Sequence, residues 1–187
     1  MKTNRIPAVL FFLFVFHPAV TFSAGPGSFS IEEAQGKLKK AEGQLEIAIK
    51  QAELSVGPHQ PGGGWTKKHM QRLLNVVEGA TGADVPEKAD NPGDGYGLLR
   101  YLKEAQQSLE GGTPEVKDSI EHALFYINEA VAHAKRSIKG KNAHEAHDQA
   151  RLAAGLLVAA RGNGQSDSPV TGGLDYALRR IEAGSAR

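Results

Sequence analysis

Residues 114–139 read PEVKDSIEHALFYINEAVAHAKRSIK, and their apolar side chains recur every three or four residues. Such spacing aligns the apolar side chains as one stripe along a helix. Thr113 is a preferred capping residue, Pro114 suits the first helical position, and Gly140 favours a helix end. We therefore predict a long amphipathic helix over 114–139, with a core stripe that comprises Val116, Ile120, Leu124, Ile127, Val131, Ala134 and Ile138.

Five further helices are predicted around this segment, which makes the protein all-α. Glycine-rich runs such as PGGG, NPGDGYG and GNG separate them. Apolar residues at seven-residue intervals, starting at Ile31, predict a helix over 30–56, and Ser30 with Glu33 forms its capping box. Apolar faces predict the other helices over 66–78, 96–109, 143–161 and 173–183.

The two halves of the chain resemble each other. AIKQAELSV (48–56) matches AVAHAKRSI (130–138), and each half reads as a long helix, a middle helix, a glycine-rich loop and a short helix. We interpret this as an internal duplication with repeats at about 30–111 and 112–184. Chance similarity among alanine- and lysine-rich helices is the alternative.

The predicted architecture follows from this order of helices. Short connections force antiparallel neighbours, so we expect two helical hairpins packed as an antiparallel four-helix-type bundle. The two short helices would close its ends, and residues 25–187 would form a single domain.

Residues 1–24 have the layout of a secretory signal peptide. Lys2 and Arg5 precede the short apolar run AVLFFLFVF, and small residues follow up to Ala24. The apolar run is shorter than the roughly 20 residues that a membrane-spanning helix needs. We expect cleavage near Ala24 and a periplasmic or secreted mature chain without a membrane span. A retained N-terminal anchor is the alternative.

Composition excludes several classes of protein. The chain has no cysteine, which excludes a disulfide framework and cysteine-based zinc sites. Loss of Lys2 and Arg5 leaves 20 basic and 21 acidic residues, a net charge of −1 that argues against nucleic-acid binding. No nucleophile elbow, phosphate loop or catalytic carboxylate pair is recognisable, so we do not expect an enzyme.

Four of the seven histidines lie between residues 122 and 147. On a helical wheel, His122 and His133 point away from the predicted core stripe. Asp118 precedes His122 by four residues, and Glu129 precedes His133 by four, so each carboxylate lies one turn from an imidazole. Such a pair can supply two ligands to one divalent cation, or the carboxylate can orient the ring.

A hairpin folded at Gly140 would place His133 level with His147. His144 and neighbouring carboxylates would then lie close to both, and an imidazole and carboxylate set suits copper, nickel or zinc. The alternative is an ordinary solvated helix surface. The candidate metal ligands are His122, His133, His144, His147, Glu129 and Asp148.

Two other features have simpler interpretations. His69 lies beside the apolar face of the helix over 66–78, so we expect a half-buried ring bonded to loop backbone. ADNPGDGYG (89–97) resembles an incomplete calcium loop, in which Asp90 and Asp94 would be ligands. Asn-Pro and Asp-Gly are also common turn residues, and the turn is the interpretation that we favour.

EHALFYINEAVAHAKRSIKGKNAHEAHDQARLAAGLLVAA (121–160) resembles the bacterial small metal-binding proteins, periplasmic four-helix bundles with A-x-x-H-A-type repeats. The matching elements are EHAL, EAVAHAK and the H-x-x-H at the start of the next helix. The resemblance implies a periplasmic protein that binds copper and nickel through His122, His133, His144 and His147. This chain has fewer histidines, and the helix over 30–56 has none.

The sequence thus predicts exported, non-catalytic binding or buffering of divalent metal ions. The competing hypothesis is a metal-independent structural or interaction module that binds a protein of the cell envelope. An exposed apolar patch would favour this second hypothesis.

Overall fold

The computed structural model describes residues 31–57, 63–80, 90–109 and 113–185. These residues form six helices and no strand, which confirms the all-α prediction. The predicted signal peptide, Ser30 and His59 lie outside the described residues. Among the helices described here, none has the length and apolar character to cross a bilayer. The helices are α1 (Ile31–Val56), α2 (Gly63–Glu78), α3 (Leu98–Ser108), α4 (Pro114–Lys139), α5 (Ala143–Arg161) and α6 (Pro169–Ser185).

The apolar stripe of α4 forms part of the core, as predicted. Five of its seven members are buried, while Leu124 and Ile138 are partly buried against the same core. Complete burial of one isoleucine or leucine side chain contributes about 1.5–3 kcal/mol. In α5 the buried side chains are almost all alanines, which lets this helix approach its neighbours closely.

The helices pair as two antiparallel hairpins. His69 of α2 bonds to Gln51 of α1, and Thr66 of α2 bonds to the carbonyl of Ser55. The residue number therefore falls along α2 as it rises along α1, which means that the two helices are antiparallel. In α4 and α5 the side chain of His133 bonds to Gln149, and the Ser137 hydroxyl donates to the carbonyl of Ala146. Both α1 and α4 pack against α2 and α5 but not against each other.

The sequence predicted that the third helix of each half would close an end of the bundle. The structure places these two helices elsewhere. Instead, α3 and α6 each pack against both α1 and α4, alongside the first halves of these long helices. Lys37 of α1 pairs with Glu104 of α3, while Arg180 of α6 lies 3.2 Å from Glu115 of α4. The reason is that α3 and α6 also have apolar faces, which they bury in the space between α1 and α4.

A pair of glycines with positive φ joins the middle helix to the following helix in each half. Gly79 ends α2 and contacts the backbone beside Gly97, just before α3. Gly162 ends α5 and contacts the backbone at Gly173 in α6. A Cβ atom on Gly162 would lie 2.0 Å from the carbonyl oxygen of Gly172, so these positions require glycine.

Three details of the predicted elements were wrong. α2 begins at Gly63 rather than Thr66, because Trp65 and Thr66 bond to the last carbonyls of α1 and hold the first turn of α2. α6 begins at Pro169 and is kinked at Gly173, where the prediction began. Ile31 was assigned to the apolar repeat of α1, yet half of its surface is exposed because it lies in the first helical position.

Candidate functional site

His144 and His147 lie in the first turns of α5, which a reciprocal pair of hydrogen bonds stabilises. The Asn142 side chain accepts a bond from the backbone N–H of Glu145 at 2.9 Å. The Glu145 carboxylate accepts a bond from the N–H of Lys141 at 3.0 Å. This capping arrangement fixes the direction in which α5 leaves the turn, and therefore the positions of both imidazoles.

His144 and Asp148 form the closest contact between candidate ligands. Nε2 of His144 lies 3.3 Å from an Asp148 carboxylate oxygen, one helical turn away. The His144 side chain is 90% exposed and that of Asp148 is 50% exposed. His147 lies on the same two turns and is partly buried. The α5 surface therefore presents an imidazole and a carboxylate to solvent at i and i+4 spacing.

His133 is bonded to a residue that the sequence analysis did not identify. Its Nδ1 lies 2.8 Å from Oε1 of Gln149 on α5. Because a carbonyl oxygen accepts, Nδ1 of His133 is the donor, and the tautomer that fits this bond has its lone pair on Nε2. The side-chain amide of Gln149 thus orients the His133 ring. The sequence predicted this role for Glu129, which is exposed on the same helix.

The hairpin register explains why His133 meets Gln149. The sequence analysis placed His133 level with His147, seven residues on either side of Gly140. The Ser137 hydroxyl bonds to the carbonyl of Ala146, and this contact shifts the level of α5 by about two residues. The position opposite His133 is therefore 149. Only the tertiary contact sets this offset, because turn length alone leaves it open.

His122 lies apart from the other histidines. It is 11 residues before His133 on α4, a rise of about 16 Å along the helix. Together with Asp118, Glu121 and Phe125 it lines an open cleft of about 370 Å³. Phe125 is 60% exposed, so this part of α4 presents an aromatic ring to solvent.

The six candidate ligands do not form one cluster. Among the residues that the structure describes, no three histidine, cysteine, aspartate or glutamate side chains are grouped so that they could hold a metal ion. The geometry instead gives one exposed imidazole–carboxylate pair on α5 with the partly buried His147 beside it. On α4 it gives two partly buried imidazoles, His122 and His133, which lie far apart.

His69 is fully buried, whereas the sequence analysis expected half-burial. It is 2% exposed, and its Nδ1 lies 2.8 Å from Oε1 of Gln51 on α1, not near loop backbone. The ring centroid of Trp65 lies 4.5 Å from that of His69. Burial, followed by the positive charges of Arg72 and Lys68, lowers the pKa of His69. The packing of α1 against α2 supplied Gln51, whereas Trp65 lies four residues before His69 on α2 itself and was a readable signal.

The loop before α3 uses its carboxylates in contacts within the protein. Asp90 pairs with Arg72, and Asp94 accepts bonds from the backbone N–H of Tyr96 at 2.9 Å and the hydroxyl of Tyr101 at 2.6 Å. The bond to Asp94 raises the pKa of Tyr101 to about 12. These contacts agree with the turn interpretation of the sequence and leave no free carboxylate pair for calcium.

Comparisons with protein-family models, with curated proteins and with solved structures find no match for this chain. The resemblance to the small metal-binding proteins therefore stays a prediction from the stretch 121–160.

Proposed function

We propose that this chain is an exported, non-catalytic protein that binds divalent copper, nickel or zinc reversibly through histidines on the surface of its second hairpin. The observation that supports this most is the exposed pair of His144 and Asp148 on α5. An imidazole nitrogen and a carboxylate oxygen one turn apart can bind the same cation after a small rotamer change. Water would fill the remaining coordination positions.

His147 would strengthen this site, whereas His133 would supply a separate imidazole on α4. His147 lies three residues after His144 on α5, so a rotamer change can bring a second imidazole to the same ion. The bond from Nδ1 of His133 to Gln149 fixes the tautomer that leaves Nε2 available to a metal. A site with two or three protein ligands, open to solvent, suits rapid exchange and buffering rather than tight storage.

The compartment and the repeats belong to the same proposal. The layout of residues 1–24 supports export to the periplasm or the medium, where divalent metals reach the protein directly. The matching order of helix contacts in the two halves supports an internal duplication. In that case the metal ligands arose in the second repeat, because α1 and α2 together contain one histidine, His69, and it is buried.

The first test is calorimetric titration of the protein lacking residues 1–24 with Cu²⁺, Ni²⁺ and Zn²⁺ at pH 7.5. We expect binding that is lost in His144→Ala/His147→Ala and kept in His122→Ala, the control on a distant part of α4. Histidine binds metals as the neutral ring, so affinity should fall as the pH drops below about 6.5. Binding that is unaffected by the double substitution would contradict the α5 site.

A metal-independent interaction module remains the second candidate function, and the exposed ring of Phe125 favours it. Phe125 lies in a cleft with His122, Asp118 and Glu121, so an apolar contact there would have a polar rim like those of protein interfaces. If no metal binds in the titration, capture of envelope proteins by the wild-type chain but not by Phe125→Ala would support this candidate.

A further inference from the structure

The contact between α1 and α2 contains a buried imidazole that metal binding does not use. His69 and Gln51 are 2% and 7% exposed, and their side chains meet between the two helices. Since Oε1 of Gln51 accepts, Nδ1 of His69 is the donor, and in the neutral ring the lone pair then lies on Nε2. Nε2 is buried and has no hydrogen-bond partner among the described residues.

Protonation would convert Nε2 from a lone pair to an N–H group in a place that has no acceptor for it. A buried donor without a partner is costly, and a buried charge without a counter-ion costs more. The face of Trp65 attracts a cation, but this attraction is weaker than the two costs together. The folded hairpin therefore accepts only the neutral ring.

The charged neighbours of His69 also disfavour its protonated form. The charges that act on the ring are those of Arg72 and Lys68, both positive and both on α2. Arg72 is partly balanced by Asp90, its ion-pair partner. From α1 the contacting side chain is the uncharged Gln51, and Lys135 of α4 pairs with Glu78, nine residues along α2 from His69. Among the residues that the structure describes, no carboxylate contributes to the shift in the pKa of His69.

We propose that the His69–Gln51 pair is an acid-sensitive contact of the first hairpin. It holds α2 against α1 at neutral pH and releases it when His69 takes up a proton. The sign follows from linkage. The pKa of His69 is lower in the folded chain than its ordinary value of about 6.5, so the unfolded chain binds the proton first. The stabilisation is complete above pH 6.5 and is lost as the pH falls below it. Each pH unit lowers the folding constant by at most roughly tenfold.

The chain carries its own reporter of this event. Trp65 is the only tryptophan, and its ring contacts that of His69 in a tilted arrangement with the centroids 4.5 Å apart. We therefore expect protonation or release of His69 to change its fluorescence. A titration from pH 8 to pH 4.5, with a chelator present to exclude metals, should show a transition below pH 6.5. His69→Gln should remove the transition, since glutamine can still donate to Gln51 but does not titrate. His122→Gln controls for the loss of a histidine elsewhere.

Stability provides the second readout. We expect the urea midpoint of the wild type to fall between pH 7.5 and pH 5.5 by more than that of His69→Gln. Both proteins keep the acidic groups whose pKa values burial raises, among them Glu42 and Asp175. The difference between the two proteins therefore isolates His69. Equal losses in both proteins would overturn the proposal.

If His69→Gln fails to fold, nuclear magnetic resonance of the wild type decides. We expect the Nδ1–H tautomer of His69 at pH 7.5, and faster amide exchange in α1 and α2 as the ring protonates. An Nε2–H tautomer, or protonation without any change in amide exchange, would refute the proposed acid-sensitive contact. Metal titration plays no part in these experiments. The proposed contact can therefore be refuted while the metal site is supported, and the metal site can be refuted while the contact is supported.

Discussion

At the scale of single residues, Glu104 receives more hydrogen bonds than any other carboxylate discussed here. Its carboxylate accepts from Lys37 of α1, from the Tyr96 hydroxyl and from Nε of Arg100. The bonds from Lys37 and Tyr96 lower the pKa of Glu104 to about 2. This cluster joins α3 to α1 on the surface of the first half.

Glu104→Gln should lower the stability of the protein at pH 7 by about 1 kcal/mol, since a neutral amide accepts these bonds more weakly and offers no charge to Lys37. The ionised carboxylate contributes its full stabilisation above pH 4.5, and loses it as the pH falls towards 2. The difference in urea midpoint between wild type and variant should therefore shrink below pH 4.5. A difference that is independent of pH would show that the effect is not electrostatic.

At the same scale, only part of each histidine's environment was readable from the sequence. The helical wheel correctly kept His122 and His133 out of the core, and both are partly buried. It gave no means of pairing His133 with Gln149 or His69 with Gln51, because each bond joins two helices. A glutamine at the edge of an apolar stripe is too common to be predicted as a histidine partner.

At the scale of elements, a glycine within α5 and the glycine that follows its last residue offer a matched pair of substitutions. Gly155 is in the exposed middle of the helix, and a Cβ there would meet nothing within 4 Å. Gly162 has φ of 88° and touches the backbone of Gly172. The helix thus contains a glycine that costs stability and is followed by a glycine that the fold requires.

We expect Gly155→Ala to stabilise the protein by about 0.5–1 kcal/mol, because alanine has the higher helix propensity. Gly162→Ala should destabilise it by about 2 kcal/mol or more, since the methyl group adds a clash to an unfavourable left-handed conformation. Thermal unfolding of the two variants beside the wild type measures both effects. Equal effects of the two substitutions would mean that the turn between α5 and α6 does not depend on the close approach of Gly162 to the backbone of Gly172.

Element boundaries followed the local signals wherever those signals were strong. α4 and α5 begin and end at the predicted residues, because Pro114, Gly140, Asn142 and Gly162 act within one turn of the helix ends. α2 and α6 began earlier than predicted, because contacts with α1 and a kink at Gly173 extend them. These causes lie outside any local pattern.

At the scale of the whole molecule, the two hairpins contain the same pair of side chains in reverse. Gln51 and His133 hold equivalent positions in the long helices, 82 residues apart. His69 and Gln149 hold equivalent positions in the middle helices, 80 residues apart. The buried residues of α2 and α5 follow the same offset of 80 (Thr66 and Ala146, Met70 and Ala150, Leu73 and Ala153, Val77 and Leu157).

This arrangement predicts that the pair can be reversed in the first hairpin. Gln51→His and His69→Gln should each destabilise the protein, whereas the double substitution should recover about 1 kcal/mol relative to their sum. The double variant would have the order of α4 and α5, with histidine on the long helix. A double-mutant cycle by urea unfolding at pH 7.5 measures the coupling. Additive losses would argue against equivalent hairpins and against the duplication.

The sequence by itself determined the helices, their core stripes and the hairpin order, because periodicity and caps act over a few residues. Only the tertiary structure decided which helices touch, where α3 and α6 lie and which residue stands opposite each histidine. These depend on the register between helices, which the sum of many packing contacts sets. A shift of two residues between α4 and α5 replaced His147 with Gln149 opposite His133 and separated the predicted metal ligands.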